Sequence, residues 1–479
     1  MVSRRTVPPP VPHMVFNQLQ FFPFFLATFI LYFALPGAVA KKILLIVASY
    51  IFYALFNPWY VLLLGAATIY TWLATEIVVR LPQQRRLWMW LGVAGPLALL
   101  GYFKYAMFVE GNVAWLFDYW GIHRNWSIEQ ILLPAGISFY LFHSVSYVVD
   151  VYRGAKTATF LDYILYVAFF PQLVSGPIVR RKDFIPQTEN PDVGRLDWKK
   201  VNWGLVIFVF GLFQKAVLAD GVFADAAVVV FESAERVAFA DAWIGVLAFT
   251  GQIFFDFAGY STCAIGISLC FGYRLPINFH YPYAAIGFSD FWQRWHISLS
   301  SWLRDYLYIS LGGNRGGTFK TYRNLMLTMV LGGLWHGAAW TFVAWGTLHG
   351  SYLVAERLIR SFEWRSKGWL IVGWAATFIL TVIAWVFFRA ASFSDAASIL
   401  QAMASPGAAS SHLVDMQSRW LVSLVMLGAL VYSFVMRNRT FAEVWAKLPL
   451  ILKSVLLGLT IFLIVVWRGE PREFIYFAF

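Results

Sequence analysis

Charge is scarce in this sequence: 13% of its 479 residues are Asp, Glu, Lys or Arg, while 60% are hydrophobic. A soluble globular chain carries about twice that share of charge, so a soluble protein is excluded. Acidic residues are the scarcer kind, 25 against 37 basic ones, for a net charge of +12. The basic residues gather in short breaks at 80–86, 179–182, 195–200 and 357–367. That is the pattern of cytoplasmic loops beside anionic lipid, not of a nucleic-acid surface. Cysteine is nearly absent. Cys263 and Cys270, seven residues apart in one apolar segment, offer neither a disulfide framework nor a zinc pattern and read as packing residues. Also missing are a G-x-S-x-G elbow, a phosphate-binding Gly-rich loop with Lys, and histidines at metal-ligand spacing with an acidic partner. No internal repeat relates the two halves, which speaks against the duplicated architecture of many transporters.

What the sequence has instead is long apolar runs, near 20–38, 42–57, 59–79, 87–108, 131–150, 158–178, 202–219, 241–271, 324–356, 368–388, 418–436 and 449–467. Several are short or abut at a proline such as Pro58, so the fold expected is an all-α polytopic bundle of about ten to twelve spans forming one domain over 1–479. Trp59, Tyr60, Trp203 and Trp420 sit near run ends as interfacial anchors. Residues 1–14, basic and Pro-rich, read as a flexible cytosolic tail before an uncleaved first span. The small-residue segment 393–414 reads as a surface loop with one short helix, and no chemistry attaches to His412.

Polar groups at membrane depth are costly and need a partner, a headgroup or a wet cavity. Glu76 and Lys104 lie near run ends, where a long side chain reaches the interface, and read as anchors. Gln214, Lys215, Gln252, His349 and Arg389 lie at similar depth. Asp256 is deep inside its run, with Gly251, Gly259 and Gly266 leaving room for a close helix or a substrate path. It is either a hydrogen-bonded structural carboxylate or a site residue.

The chain is organised around 288–349. Apolar residues at 288, 291, 292, 295, 299, 302, 303 and 306 follow a helical period, with Asp290, Gln293, Arg294, Ser300, Ser301 and Arg304 opposite. This predicts an amphipathic helix along an interface or a wet funnel, with His296 on the border of its faces, as a site residue or an interfacial structural one. LGGNRGG at 311–317, with Asn314 and Arg315, reads as a tight turn or a phosphate cradle. His336, in GGLWHGAAW, falls within an apolar run, where imidazole is the side chain suited to accept a hydroxyl proton near neutral pH. Gly332, Gly333 and Gly337 open its surroundings to a ligand or another helix. Catalysis and a structural role both fit the residues.

An ordered series of segments resembles the membrane-bound O-acyltransferase family, nearest its bacterial alginate O-acetylation branch. The series is LLPAGISFYLFHSVSYVVDVYRG at 132–154, FFPQLVSGPIVR at 169–180, FFDFAGYSTCAIGISLCFGYRLPINFHYPY at 254–283, then FWQRWHISLSSWLRDYLYISLGGNRGG and GGLWHGAAW. The likeness spans residues 15–390, leaving 391–479 as accessory helices. It implies about eleven spans with re-entrant segments around a funnel and tunnel. It also implies acyl transfer with His336 as the essential residue and His296 as the second family histidine. In that branch the acyl group passes from a cytosolic donor toward a periplasmic partner that acetylates polysaccharide, which places the chain in a bacterial inner membrane. Thr262 and Cys263 stand where alginate-type sequences carry Asp and Met, so alginate, cellulose and other exopolysaccharides fit alike as acceptor.

The mechanism expected is His336 as general base on an acceptor hydroxyl or thiol, beside a donor thioester, with acetyl-CoA as donor, no bound cofactor and no metal. His296 would orient the acceptor or relay the proton. Asp256 would polarise a histidine, Trp335 and Asn314 would contact substrate, and Arg294, Arg304 or Arg315 would bind donor phosphates. Two rivals are a transporter using His336, Asp256 and Lys215 as an ion path, and an inactive scaffold of a secretion complex.

Overall fold

A computed structural model describes residues 14–122, 128, 130–360, 367–407 and 412–477. The basic, Pro-rich start (1–13) and most of the 357–367 break lie outside the described residues. Everything regular among the described residues is helical.

The first half builds a sheath from α1 (Phe21–Ala34), α2 (Ala38–Ala54) and α3 (Pro58–Arg80). Pro58 opens α3 rather than breaking it, because Asn57 caps the helix by accepting from the Trp59 N–H and proline needs no donor in a first turn. α4 (Arg85–Leu100), a π-helical turn at Gly101–Tyr105 and α5 (Ala106–Tyr119) form one rod, followed by α6 (Ile137–Tyr152). The apolar run at 158–178 is not the span its hydropathy suggests. It folds into α7 (Phe160–Ala168) and α8 (Phe170–Leu173), split at Phe169, before α9 (Arg181–Glu189). All its residues from Tyr163 apart from Ile164 are buried by protein rather than lipid.

A second long rod runs through α10 (Trp198–Leu212), a π-helical stretch at Phe213–Phe223 and α11 (Ala224–Glu232). It packs on α12 (Phe239–Cys270), the axis of the molecule, through facing glycines. A Cβ on Gly211 would fall 2.6 Å from the Cys263 nitrogen, so only glycine permits this approach. Cys263 and Cys270 face the same rod, their thiols against the Phe208 and Val201 carbonyls, as packing residues. One buried apolar cluster lies on the α1–α9 side of α12 and the other on its far side.

Next come α13 (Phe288–Arg294), α14 (Ile297–Trp302) and a π-helical turn at Leu303–Tyr308. α15 (Thr318–His336), α16 (Trp340–Arg360), α17 (Lys367–Arg389), α18 (Phe393–Ala404), α19 (Met416–Met436), α20 (Phe441–Lys447) and α21 (Leu450–Val466) complete the order. Six helical stretches among the described residues are long and apolar enough to cross a membrane, with 21–34 and 450–466 as shorter apolar helices. The chain is a multi-pass membrane protein.

The apolar run at 324–356 departs from a single span. It breaks at 337–339 into the antiparallel pair α15 and α16, whose backbones touch where a Cβ on Gly333 would meet the Phe342 carbonyl at 2.3 Å and one on Gly346 the Met329 carbonyl at 2.4 Å.

Candidate active site

His336 is the last residue of α15, not the middle of a helix, and the break after it exposes the end of the backbone ladder. Those carbonyls are capped from far away in sequence. Tyr105 donates its hydroxyl to the Leu334 carbonyl at 2.8 Å, and the Lys104 ammonium donates to the carbonyls of Trp335 at 2.6 Å and His336 at 2.9 Å. Lys104 therefore turns inward from its π-helical turn instead of anchoring at the interface. A cation at a helix C-terminus also complements the helix dipole.

The ring of His336 is 2% exposed. Trp335 and Trp345 lie 5.0 Å away between ring centroids, Phe388 5.3 Å, Tyr476 5.4 Å and His296 6.4 Å. Its Nδ1 has no hydrogen-bond partner. Trp335 also stacks on Phe142, so it forms one wall shared by both histidines.

His296 is not on the border of a continuous amphipathic helix. The helix stops after Arg294, Trp295 is extended, and His296 takes a left-handed conformation at φ 43° before α14 begins. A non-glycine residue held there stores about 1–3 kcal/mol of backbone strain. The kink is held by the segment 278–280: Ile297 N–H donates to the Asn278 carbonyl, and His280 N–H to that of Arg294, both at 2.9 Å. The consequence is full burial of the His296 ring, edge-on to Phe257 at 4.5 Å.

Side chains fix that ring as well. Asn278 Oδ1 lies 3.1 Å from His296 Nδ1, and it also accepts from the Ser298 N–H at 3.2 Å and the Ser298 hydroxyl at 2.9 Å. Asn278 Nδ2 donates to the Ser261 hydroxyl at 3.1 Å. His296 Nε2 has no partner.

Asp256 contacts neither histidine through its hydrogen bonds. One oxygen pairs with Lys215 Nζ at 2.6 Å and the other accepts from the Ile475 N–H at 2.8 Å. Lys215, from the second π-helical stretch, also pairs with Asp220 at 2.9 Å and donates to the Arg472 carbonyl at 3.2 Å. The buried triad thus clasps the segment after α21, which runs back into the bundle and sets Tyr476 against His336 and Phe257. A transporter path from Lys215 through Asp256 to His336 finds no hydrogen-bonded link among these contacts. The tail had no periodic signal in the sequence. Its visible trace was the pair of costly groups, Lys215 and Asp256, in facing runs.

The remaining expected substrate residues lie elsewhere. Arg294 pairs with Asp290 at 2.7 Å and donates to the Arg437 carbonyl at 2.8 Å, a structural clamp. Arg304 is exposed and pairs with Asp305, which Arg180 also grips. Asn314 accepts from Tyr308 and Arg357 on an exposed turn, with Arg315 exposed beside it. The four glycines of that turn all take positive φ, which accounts for LGGNRGG as a tight turn. Burial would raise the Asp305 carboxyl, but hydrogen bonds and charge from Arg304 and Arg180 outweigh it and hold it below the usual carboxylate range. His349 completes the picture, fully buried 4.8 Å from Trp345 with both ring nitrogens unpartnered.

No group of three or more metal-ligating side chains gathers among the described residues. Two imidazoles, each with an unpartnered nitrogen and 6.4 Å apart between ring centroids in an aromatic enclosure, are groups that can take and return protons where bulk water is kept away.

The profile of the membrane-bound O-acyltransferase family matches residues 153–394. A probable alginate O-acetylase of Pseudomonas putida is 44% identical over 403 residues, 82% of this chain and 81% of that protein. A peptidoglycan O-acetyltransferase of Helicobacter pylori is 37% identical, with coverage of 83% and 80%. A teichoic acid D-alanyltransferase of Streptococcus thermophilus is 32% identical over 47% of this chain and 57% of its own length. With the family profile matched and the two O-acetylating relatives covered across four fifths of their length, the chain belongs to the membrane-bound O-acyltransferase family and is an acyltransferase.

Proposed function

We propose that this protein carries acetyl groups from a cytosolic thioester, acetyl-CoA in the first place, toward O-acetylation of an extracytoplasmic polysaccharide, from the inner membrane of a bacterium. The observation that carries the reading is the enclosed pair His336 and His296, each with an unpartnered ring nitrogen. Relatives named for acetylating alginate and peptidoglycan support acetyl as the group and a polysaccharide as the destination; a periplasmic acetyltransferase as the receiving partner is part of the proposal.

In the reaction, His336 takes the proton of an acceptor hydroxyl while its oxygen attacks the thioester carbonyl. The C–O bond forms, the C–S bond breaks, and the departing thiolate leaves with the proton the histidines hold. Trp335, Trp345, Phe388 and Tyr476 wall the ring, so water, which would hydrolyse the donor, is kept from it. The Lys104 cap fixes the end of α15 and with it the backbone of His336.

The test is ester-linked acetate on surface polysaccharide from cells carrying His336→Ala at matched protein levels. Acetate should fall to the background of a strain lacking the protein. Unchanged acetate would remove the reading, and an inactive scaffold would then account for the chain.

A further inference from the structure

His296 has a ring whose protonation pattern can be read from its neighbours. The Ser298 backbone N–H can only donate, so the atom of Asn278 that receives it is the amide oxygen. The Ser298 hydroxyl accepts from the Ile178 N–H and donates its own hydrogen to that same oxygen. The amide nitrogen points the other way, to Ser261. Turning the amide over would set its NH2 against two donors. With the oxygen fixed, the third group against it, His296 Nδ1, carries the hydrogen. The other ring nitrogen, Nε2, is then a bare lone pair, fully buried and without a protein partner. The left-handed backbone at His296 is a second observation, independent of the first, because strain of this kind persists where the surroundings impose it.

We propose that Asn278 is a positioning residue of the acyl transfer: it locks His296 in the Nδ1–H form so that Nε2 shares, as a base, the proton His336 takes from the acceptor. This rests on the acyl-transfer reading above. The acceptor's O–H bond breaks as its C–O bond forms, the proton passes to His336 with His296 Nε2 as its further acceptor, and it leaves on the thiolate when the C–S bond breaks. No oxidant or further reactant enters.

The titratable group whose ring neighbours His296 is His336 on α15, and Tyr476 on the tail lies one ring further on, against His336 and Phe257. Beyond Trp335 and Phe257 lie the Lys104 ammonium and the Asp256–Lys215 pair. Asn278 is the neutral member nearest the ring, which makes its charge the cleanest variable to change. Aspartate suits the site: Oδ1 keeps its three donors, and the Ser261 hydroxyl turns to donate to the second oxygen.

The experiment measures acetyl transfer by the full-length protein in membranes from pH 5.5 to 9, for wild type, Asn278→Ala, Asn278→Asp and His336→Ala, with folded protein quantified by thermal melting. Asn278→Ala should lose about a hundredfold in rate per folded molecule with donor KM unchanged. Asn278→Asp should retain at least about a tenth of the rate, with the acid limb of its pH profile moved upward by about one unit or more, because a carboxylate favours the charged imidazole beside it. A purely structural Asn278 predicts rates that follow the folded fraction and an acid limb that does not move in the aspartate variant. Either result overturns the proposal. Activity in His336→Ala would instead overturn the acyl-transfer reading itself, so the two failures are told apart.

Discussion

The two histidines reach the same enclosure by opposite means. His336 sits on relaxed helical backbone and is placed by what grips its main chain: Lys104 and Tyr105 hold the carbonyls while Nδ1 stays without a partner. His296 sits on strained backbone and is placed by what grips its side chain, the Asn278 amide. A base that must change partners during a reaction gains from an unencumbered ring. A base that must keep one tautomer gains from a bound one. The contrast fits the roles proposed above, with the mobile proton at His336 and the fixed acceptor at His296.

The largest expected effect is at His336, where alanine should lower the transfer rate about 10²–10⁴-fold, read as acetyl ester formed per folded enzyme. If both variants are severely slowed but His296→Ala lowers the rate further than His336→Ala, the assignment of roles is reversed. Replacing His296 by Asn sharpens the backbone half of the contrast. Asn tolerates the left-handed conformation, so this variant should melt above His296→Ala while remaining about a hundredfold slow. Equal melting temperatures would mean the kink is not strained. Lys104→Met tests the grip on His336. Uncapped, buried carbonyls should cost about 1–3 kcal/mol of stability, and the shifted imidazole about ten- to a hundredfold in rate, with Arg restoring part of both. A Lys104→Met enzyme with normal rate and stability would leave the cap without a function.

The smallest effect is expected away from both rings, at Asp305. Its carboxyl is depressed in the folded state, so its contribution is present above the unfolded pKa and is lost as pH falls through the folded one. Asp305→Asn should therefore lower the melting temperature slightly near pH 7, by an amount that vanishes in acid. A deficit that persists below the folded pKa would point to packing rather than charge.

Much of this was legible in the residues, and what was hidden has particular causes. Helical class and the α12 run follow from apolar run lengths, and the burial of His336 follows from its place in such a run. The break at His296 does not, because the period of apolar residues continues through it; the backbone bonds that enforce the kink come from 278–280. The hairpin at 337–339 had a signal in its glycines, but a run of that hydropathy reads equally as one long helix. Lys104 misled because snorkelling is the ordinary fate of a lysine near a span end, and its carbonyl partners are 231 and 232 positions away. Arg294 and Arg304 are held by Asp290 and Asp305, pairings that the sequence reading did not single out.

Those long separations bear on how the enzyme is made. The clasp on Asp256 closes only when a segment 219 residues downstream returns to it, and the helix carrying His336 is finished by a lysine inserted 232 residues upstream. A nascent chain halted anywhere before α21 leaves Tyr476 unmade and Lys215 and Asp256 without their backbone partners. The contacts of Tyr476 with His336 and of Ile475 with Asp256 therefore form only once the chain has been made through residue 476.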